Sequence, residues 1–346
     1  MRAAVFQGLG KPLLIEQLDD PSPAAGQLVI KVGRCGICGS DLHMAEGHDY
    51  GFQTGDVPGH EFAGEIVALG TDIDGRLAEY KLGDRVAVMP FSSCGQCKAC
   101  LNGNPSMCLQ HQMMGTSGLK GGFAEYAVAD AQWCIKLPES LSLEDGALVE
   151  PLAVALRANL ASGIKSGDRV LVLGAGAIGI AAAYWAKLSG AGRIAVSATS
   201  HRREAMAQAI GIDAFIVPKE GVTLAEQSAR VLGGEADIVF DCAGMPGSLD
   251  TAVSAVRRGG VVSAPGVCWS PDSITPMMAM IKEVTLKFSY VYDRREFEIA
   301  VGALDKGHVE PRAMVTDVVS LDEVPRAFES LKAANTQCKI QIAPWL

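Results

Sequence analysis

The stretch RVLVLGAGAIGIAAAYWAKLSG, residues 169–190, decides the fold of half the chain. An apolar, β-branched run ends in G-x-G-x-x-G, with Gly174, Gly176 and Gly179, and a helix-forming run follows without a break. Gly174 permits the tight turn, Gly176 lets the backbone approach a pyrophosphate, and Gly179 lets the helix pack close to the strand. The free N–H groups at the helix start then face the phosphates. Such a motif is weak evidence alone and strong evidence between a strand and a helix. Five further apolar runs follow: RIAVSA (193–198), AFIVP (214–218), DIVFDCAG (237–244), GVVSAPG (260–266) and VTLKFSYV (284–291). Amphipathic stretches such as EAMAQAIGI separate them, so the region reads as a doubly wound parallel α/β sheet that binds a dinucleotide. Ile178, inside the turn, and Val267, after the fifth run, are placed with the cofactor-binding residues.

The end of the second run, about 20 residues beyond the glycines, is where an NAD-preferring fold carries Asp or Glu for the ribose hydroxyls. Here the position is Ala198, followed by Thr199, Ser200, His201, Arg202 and Arg203. No carboxylate would repel a 2′-phosphate there, and arginine is its natural partner. The pattern predicts NADP(H) in preference to NAD(H). The alternative is that Arg202 and Arg203 begin a solvated helix and either cofactor serves.

Upstream, short runs such as QLVIKVG, FAGEIVALG, DRVAVMP, FAEYAVAD and WCIKLP alternate with Gly, Pro and Asp turns, which predicts a mostly antiparallel β domain. The boundaries expected are 1–154 for this domain and 155–292 for the dinucleotide domain. Residues 293–346, with helical patterns at REFEIAVGALDKG and LDEVPRAFESLKAA and a closing strand CKIQIAP, are expected to pack back on the first.

Within the first domain, CGQCKACLNGNPSMC (94–108) sets Cys94, Cys97, Cys100 and Cys108 in the spacing C-x2-C-x2-C-x7-C, with Gly95, Gly103 and Pro105 to turn the loop. Four thiolates can close around one zinc, leaving no position for a substrate. An iron–sulfur cluster and a disulfide relay use related spacings, although no proline follows the fourth cysteine as in the ferredoxin run. A second group looks different. Cys38, in CGICGSDLH (35–43), and His60, in PGHEFAGE (58–65), are soft and borderline ligands from separate loops. With Glu150 of LVEPLAVAL or Glu61 as a third ligand they make an open, Lewis-acidic zinc site.

Composition narrows the field further. The chain has 346 residues, 49% of them hydrophobic, and a formal net charge of −9, which argues against nucleic acid as a partner. No run of about 20 uninterrupted apolar residues and no secretory signal layout are seen, so the expectation is a cytoplasmic protein without membrane contact. Ten cysteines in a reducing setting point to metal before disulfides. The other five, Cys35, Cys134, Cys242, Cys268 and Cys338, read as small buried hydrophobes.

CGICGSDLH, GHE, the four-cysteine lobe, GGFAEY (121–126), EPL and GAGAIG occur in the order seen in the zinc-dependent alcohol dehydrogenases of the medium-chain dehydrogenase/reductase superfamily, and the resemblance runs end to end. Glu150 resembles the third ligand of the polyol, threonine and secondary-alcohol branches, in which Glu61 exchanges with it at the metal. The longer stretch TDIDGRLAEYKLGDRV (71–86) is a departure from the pattern. The resemblance implies a GroES-like catalytic domain beside a Rossmann domain, one catalytic and one structural zinc per chain, and a homodimer or homotetramer. It further implies that Ser40 relays the alcohol proton, that His43 is the terminal base, and that Asp41 holds the second ring nitrogen of His60. The expected reaction is reversible oxidation of a secondary alcohol or polyol to a ketone. Alternatives are a threonine-type amino alcohol dehydrogenase, a zinc-free alkene reductase of the same superfamily, and a non-catalytic nucleotide-binding structural protein. The zinc-free reductase would not need Cys38, His60 and the lobe, and the structural protein would tolerate loss of Ser40 or His43.

Overall fold

The computed structural model describes residues 1–47, 51–71, 75, 77–102, 104–116, 118–333 and 336–346. Gly103 and residues 72–74 and 76 of the long 71–86 stretch lie outside the described residues. The chain divides into two units: Met1–Glu150 with Asp293–Val309 and Val315–Leu346, and Pro151–Tyr292 with Glu310–Met314. Among the described residues, no helix is long and apolar enough to cross a membrane.

In the second unit all six apolar runs become strands of one parallel sheet. Its order is Ala214–Ile216, Arg193–Ser197, Arg169–Leu173, Ala236–Asp241, Val256–Ala264 and Thr285–Phe288. The chain therefore winds outward one way from Arg169–Leu173 and then the other, and the reversal point lies between that strand and Ala236–Asp241. Ligands bind outside the carboxyl ends of strands at such a reversal. Val170, Leu171 and Val172 are fully buried, as expected of a strand covered on both faces. Helix Ala177–Leu188 brings Ala181, Ala182 and Ala183 to the interior. Gly179 is obligatory there, because a Cβ would sit 1.9 Å from the carbonyl oxygen of Gly174.

The first unit is built on a seven-stranded sheet in the order Val315–Ser320, Lys339–Ala343, Gln27–Gly36, Glu61–Leu69, Arg85–Val88 and Cys134–Lys136, with Tyr126–Asp130 also pairing to Gln27–Gly36. All pairings are antiparallel except that of Val315–Ser320 with Lys339–Ala343. The register sets Gly36 opposite Glu61. Two sequence-distant loops, the one after Gly36 and the one before Glu61, thus emerge at the same end of neighbouring strands.

One long element was not foreseen. Leu143–Ser162 is a twenty-residue helix with Pro151 inside it, and the unit boundary at Glu150 and Pro151 falls within it. Its start is capped by Ser142, whose Oγ accepts the Asp145 N–H (3.1 Å) while the Asp145 carboxylate accepts the Ser142 N–H (2.8 Å). Most of its side chains from Asp145 to Asn159 are buried, so no polar face sets up the usual helical period.

Candidate active site and metal centres

The four cysteines of the lobe converge. Their sulfurs all lie within 4.8 Å of one another, with Cys97–Cys100 and Cys94–Cys108 at 3.5 Å and Cys94–Cys100 at 4.0 Å. A disulfide requires about 2.05 Å, whereas four sulfurs at about 2.3 Å from a tetrahedral zinc stand about 3.8 Å apart. The spacing is that of a tetrahedral thiolate cage. Amide N–H groups of Gln96 and Cys97 directed at Cys94 push its thiol down to about 6, with the Cys97 N–H 3.3 Å from the sulfur. A thiolate is the form that binds metal.

The second group is Cys38, His60 and Glu61, whose ligand atoms also lie within 4.8 Å of one another. Cys38 caps the short helix Gly39–Met44. Asp41, fully buried, ties the two loops together: Oδ2 accepts the Cys38 N–H (2.9 Å) and Oδ1 lies 3.2 Å from Nδ1 of His60. His60 is thereby held with Nε2 toward Ser40, whose Oγ is 3.3 Å away and which donates to the Cys38 sulfur at 3.2 Å. Burial disfavours a charged imidazole, but the Asp41 carboxylate and the Cys38 sulfur outweigh it and hold His60 well above the usual histidine range. A proton and a metal thus compete for the same ring nitrogen. His43, on the same helix as Ser40, is exposed, with Nδ1 3.5 Å from the Glu46 carboxylate.

Glu61 has a partner that the sequence reading missed. Lys339, 2% exposed, donates to both Glu61 oxygens, at 2.6 and 2.7 Å, and to the Ile37 carbonyl at 3.1 Å. Burial works against its charge, yet Glu61 and Cys38 raise it above the ordinary lysine range. The absence of a side chain at Gly36 makes room for this pair, since a Cβ there would stand 2.1 Å from Glu61 Oε2. The available signal was a lysine at the start of the strand Lys339–Ala343, KIQIA, every residue of which is buried. Glu150 is buried on its helix but is not among the groups that cluster with Cys38 and His60.

In the second unit, Gly174 has φ of +94° and its N–H donates to Ser197 O at 2.8 Å, which sets the turn beside the end of the second strand. Gly176 precedes the helix, and Ile178 is partly buried in its first turn. Ala198 follows Ser197 directly, Thr199 is exposed, and Ser200 caps the turn His201–Arg203. Arg202 points to solvent, whereas an Arg203 guanidinium nitrogen lies 3.5 Å from Ala175 O, against the glycine turn. Val267 is exposed, its backbone packed on Gly244. Of the remaining cysteines, Cys35 and Cys134 are buried as expected, and burial pushes both thiols up. Cys242 is partly buried as a residue, and burial pushes its thiol up as well; Cys268, in a loop, and Cys338, just before a strand, are only partly buried, which corrects their reading as interior hydrophobes.

Residues 24–139 match the alcohol dehydrogenase GroES-like domain, and residues 177–306 match the zinc-binding dehydrogenase domain. The chain is 31% identical to a sorbitol dehydrogenase of Bacillus subtilis over 99% of its length and 97% of that protein's. Among solved structures, a zinc-binding dehydrogenase from Sinorhizobium meliloti 1021 bound to NADP superposes with a TM-score of 0.90 at 29% identity, covering 99% of both chains. A protein from E. coli CFT073 described as a short chain alcohol dehydrogenase, complexed with NADH, gives 0.89 at 28%, again over 99% of each.

Proposed function

The chain belongs to the zinc-binding alcohol dehydrogenases, and from that premise we propose that it reversibly oxidises a secondary alcohol or polyol to the ketone with NADP as preferred acceptor, in the cytoplasm. The observation that carries this reading is the convergence of Cys38, His60 and Glu61 with Ser40 against two of them. Zinc supplies Lewis acidity there and the nicotinamide accepts the hydride. The donor set suits zinc: a thiolate, an imidazole locked by a carboxylate, and a carboxylate. Glu61, which bonds to Lys339, would hold the metal with Cys38 and His60, and Glu150 would offer a second carboxylate in its place. The lobe of Cys94, Cys97, Cys100 and Cys108 holds the second, structural zinc.

Ser40 takes the proton of the alcohol, and His43, at the solvent end of the same helix, releases it to water. Ser40→Ala is expected to lower alcohol oxidation by about a hundredfold or more while cofactor affinity stays the same. His43→Ala costs less, because water substitutes for a base already at the surface. Pre-steady-state rates and cofactor titration separate the two effects, and full activity of the Ser40 variant would remove the relay from the mechanism.

The preference for NADP rests on Ala198 and on Arg203, which stands beside the phosphate-binding turn. Charge-assisted bonds at about 1.5–3 kcal/mol each favour NADP by roughly tenfold or more. The ratio of kcat/KM for the two cofactors tests this in the wild type and in Ala198→Asp. The substitution is expected to invert the preference; a wild type that already favours NAD would contradict it.

A homodimer or homotetramer is supported by the edge of the second sheet, which pairs with no further strand among the described residues. Thr285–Phe288 is its last strand, Phe288 and Tyr290 are exposed, and the preceding helix Pro276–Lys282 exposes Met277 and Met280. An apolar edge of this kind is a template for pairing with a second copy. Light scattering is expected to give at least twice the chain mass, reduced by Phe288→Asp, and a monomeric wild type would refute the pairing.

A further inference from the structure

Asp241 ends the fourth strand of the dinucleotide sheet, directly opposite Leu173 and so beside the glycine turn. It is 3% exposed. Three loops meet here. Its Oδ1 accepts the N–H groups of Ala243 (3.1 Å) and Gly244 (3.4 Å), and Oδ2 accepts the Ser248 hydroxyl at 2.6 Å. Its carbonyl accepts the Gly266 N–H at 3.0 Å, next to Val267. The loops lie backbone on backbone: a Cβ on Gly174 would stand 3.1 Å from Ala243, one on Gly244 2.6 Å from Val267 O, and one on Gly266 2.8 Å from Gly244 N.

A carboxylate near a crevice for a pyrophosphate is unexpected on charge alone, since like charges repel. Two amides, a hydroxyl and the start of helix Ser248–Ala255 occupy its charge. We propose that Asp241 is a positioning residue for the cofactor: it fixes the loops after the fourth and fifth strands against the glycine turn, and so presents the backbone at Val267 and Gly244 in the geometry the dinucleotide needs. This rests on the dehydrogenase reading and extends it to a residue outside the glycine motif and the metal centres.

The test is binding of NADPH and NADH to the zinc-loaded protein, followed by quenching of protein fluorescence, in the wild type, Asp241→Asn and Asp241→Ala. Alanine removes every side-chain bond and is expected to raise both dissociation constants about tenfold or more. Asparagine keeps an acceptor for the two amides and is expected to restore most of the affinity. The alcohol KM at saturating cofactor and the zinc content are expected to stay at wild-type values, which a general loosening of the fold would not leave untouched. Should the alanine variant fail to fold, amide exchange at Ala243 and Gly244 in the asparagine variant and in Ser248→Ala reads the same loop, with faster exchange and weaker cofactor binding expected together. Unchanged affinity, or tighter binding from relieved repulsion, would overturn the proposal. A wild type that binds neither nucleotide would instead refute the dehydrogenase reading itself.

Discussion

Cys38→Ser is expected to lose alcohol oxidation almost completely while the protein keeps its fold and about one of two zinc ions per chain. Lewis-acid stabilisation of developing charge is worth several kcal/mol, and at about 1.4 kcal/mol per tenfold its loss corresponds to a thousandfold or more. The fold survives because Cys38 lies in a loop between a strand and a short helix, with Asp41 still bonding its N–H. Cys97→Ser has the opposite signature: activity per folded molecule is retained, and yield and thermal midpoint fall, because the four-cysteine cage closes a lobe whose Leu101, Met107 and Leu109 are exposed and add little packing. Elemental analysis beside turnover distinguishes the two. Active protein carrying one metal per chain would contradict the assignment of the lobe.

Lys339→Met is expected to cost roughly 3–5 kcal/mol, since it leaves a buried carboxylate without its cation. Glu61 is 1% exposed and both of its oxygens bond to Lys339. The loss is read as a lower urea midpoint of the unit that holds the metal centre, and it should shrink in excess zinc, which gives Glu61 another partner. Lys339→Arg should recover part of it, limited by the space around Gly36. Because the lysine is raised in the fold, its contribution is complete at neutral pH, present up to the ordinary lysine value, and lost only as pH climbs through the raised one. A neutral effect of Lys339→Met in zinc-depleted protein would show that the pair does not stabilise the site.

The sheet of the second unit was legible strand by strand because each run was apolar, β-branched and bounded by Gly, Pro or a charged helix start. The sequence also showed Cys38 and His60 as a pair, since thiolate and imidazole in glycine-rich loops have few other uses. What it hid depends on register. Nothing local indicates that Glu61 faces Gly36, or that a lysine near the C-terminus reaches them, until the antiparallel pairing of Gln27–Gly36 with both Glu61–Leu69 and Lys339–Ala343 is known. Asp241 was read only as part of an apolar run, because its side-chain partners are two loop amides and the first residue of a helix, which follow no pattern in the sequence. The helix Leu143–Ser162 escaped for a different reason: burial all round erased its period, and Pro151 reads as a breaker.

The proposed reaction moves a hydride between an alcohol and a nicotinamide at a metal centre built on Cys38 and His60. Its most direct test is the appearance of reduced nicotinamide absorbance when the purified protein meets NADP or NAD and a panel of secondary alcohols and polyols, repeated after chelation and after zinc is returned. Reduction with at least one such alcohol, lost on chelation and restored by zinc, is the predicted result. Reduction that persists undiminished once both metals are removed, or none with any alcohol of the panel, would contradict it.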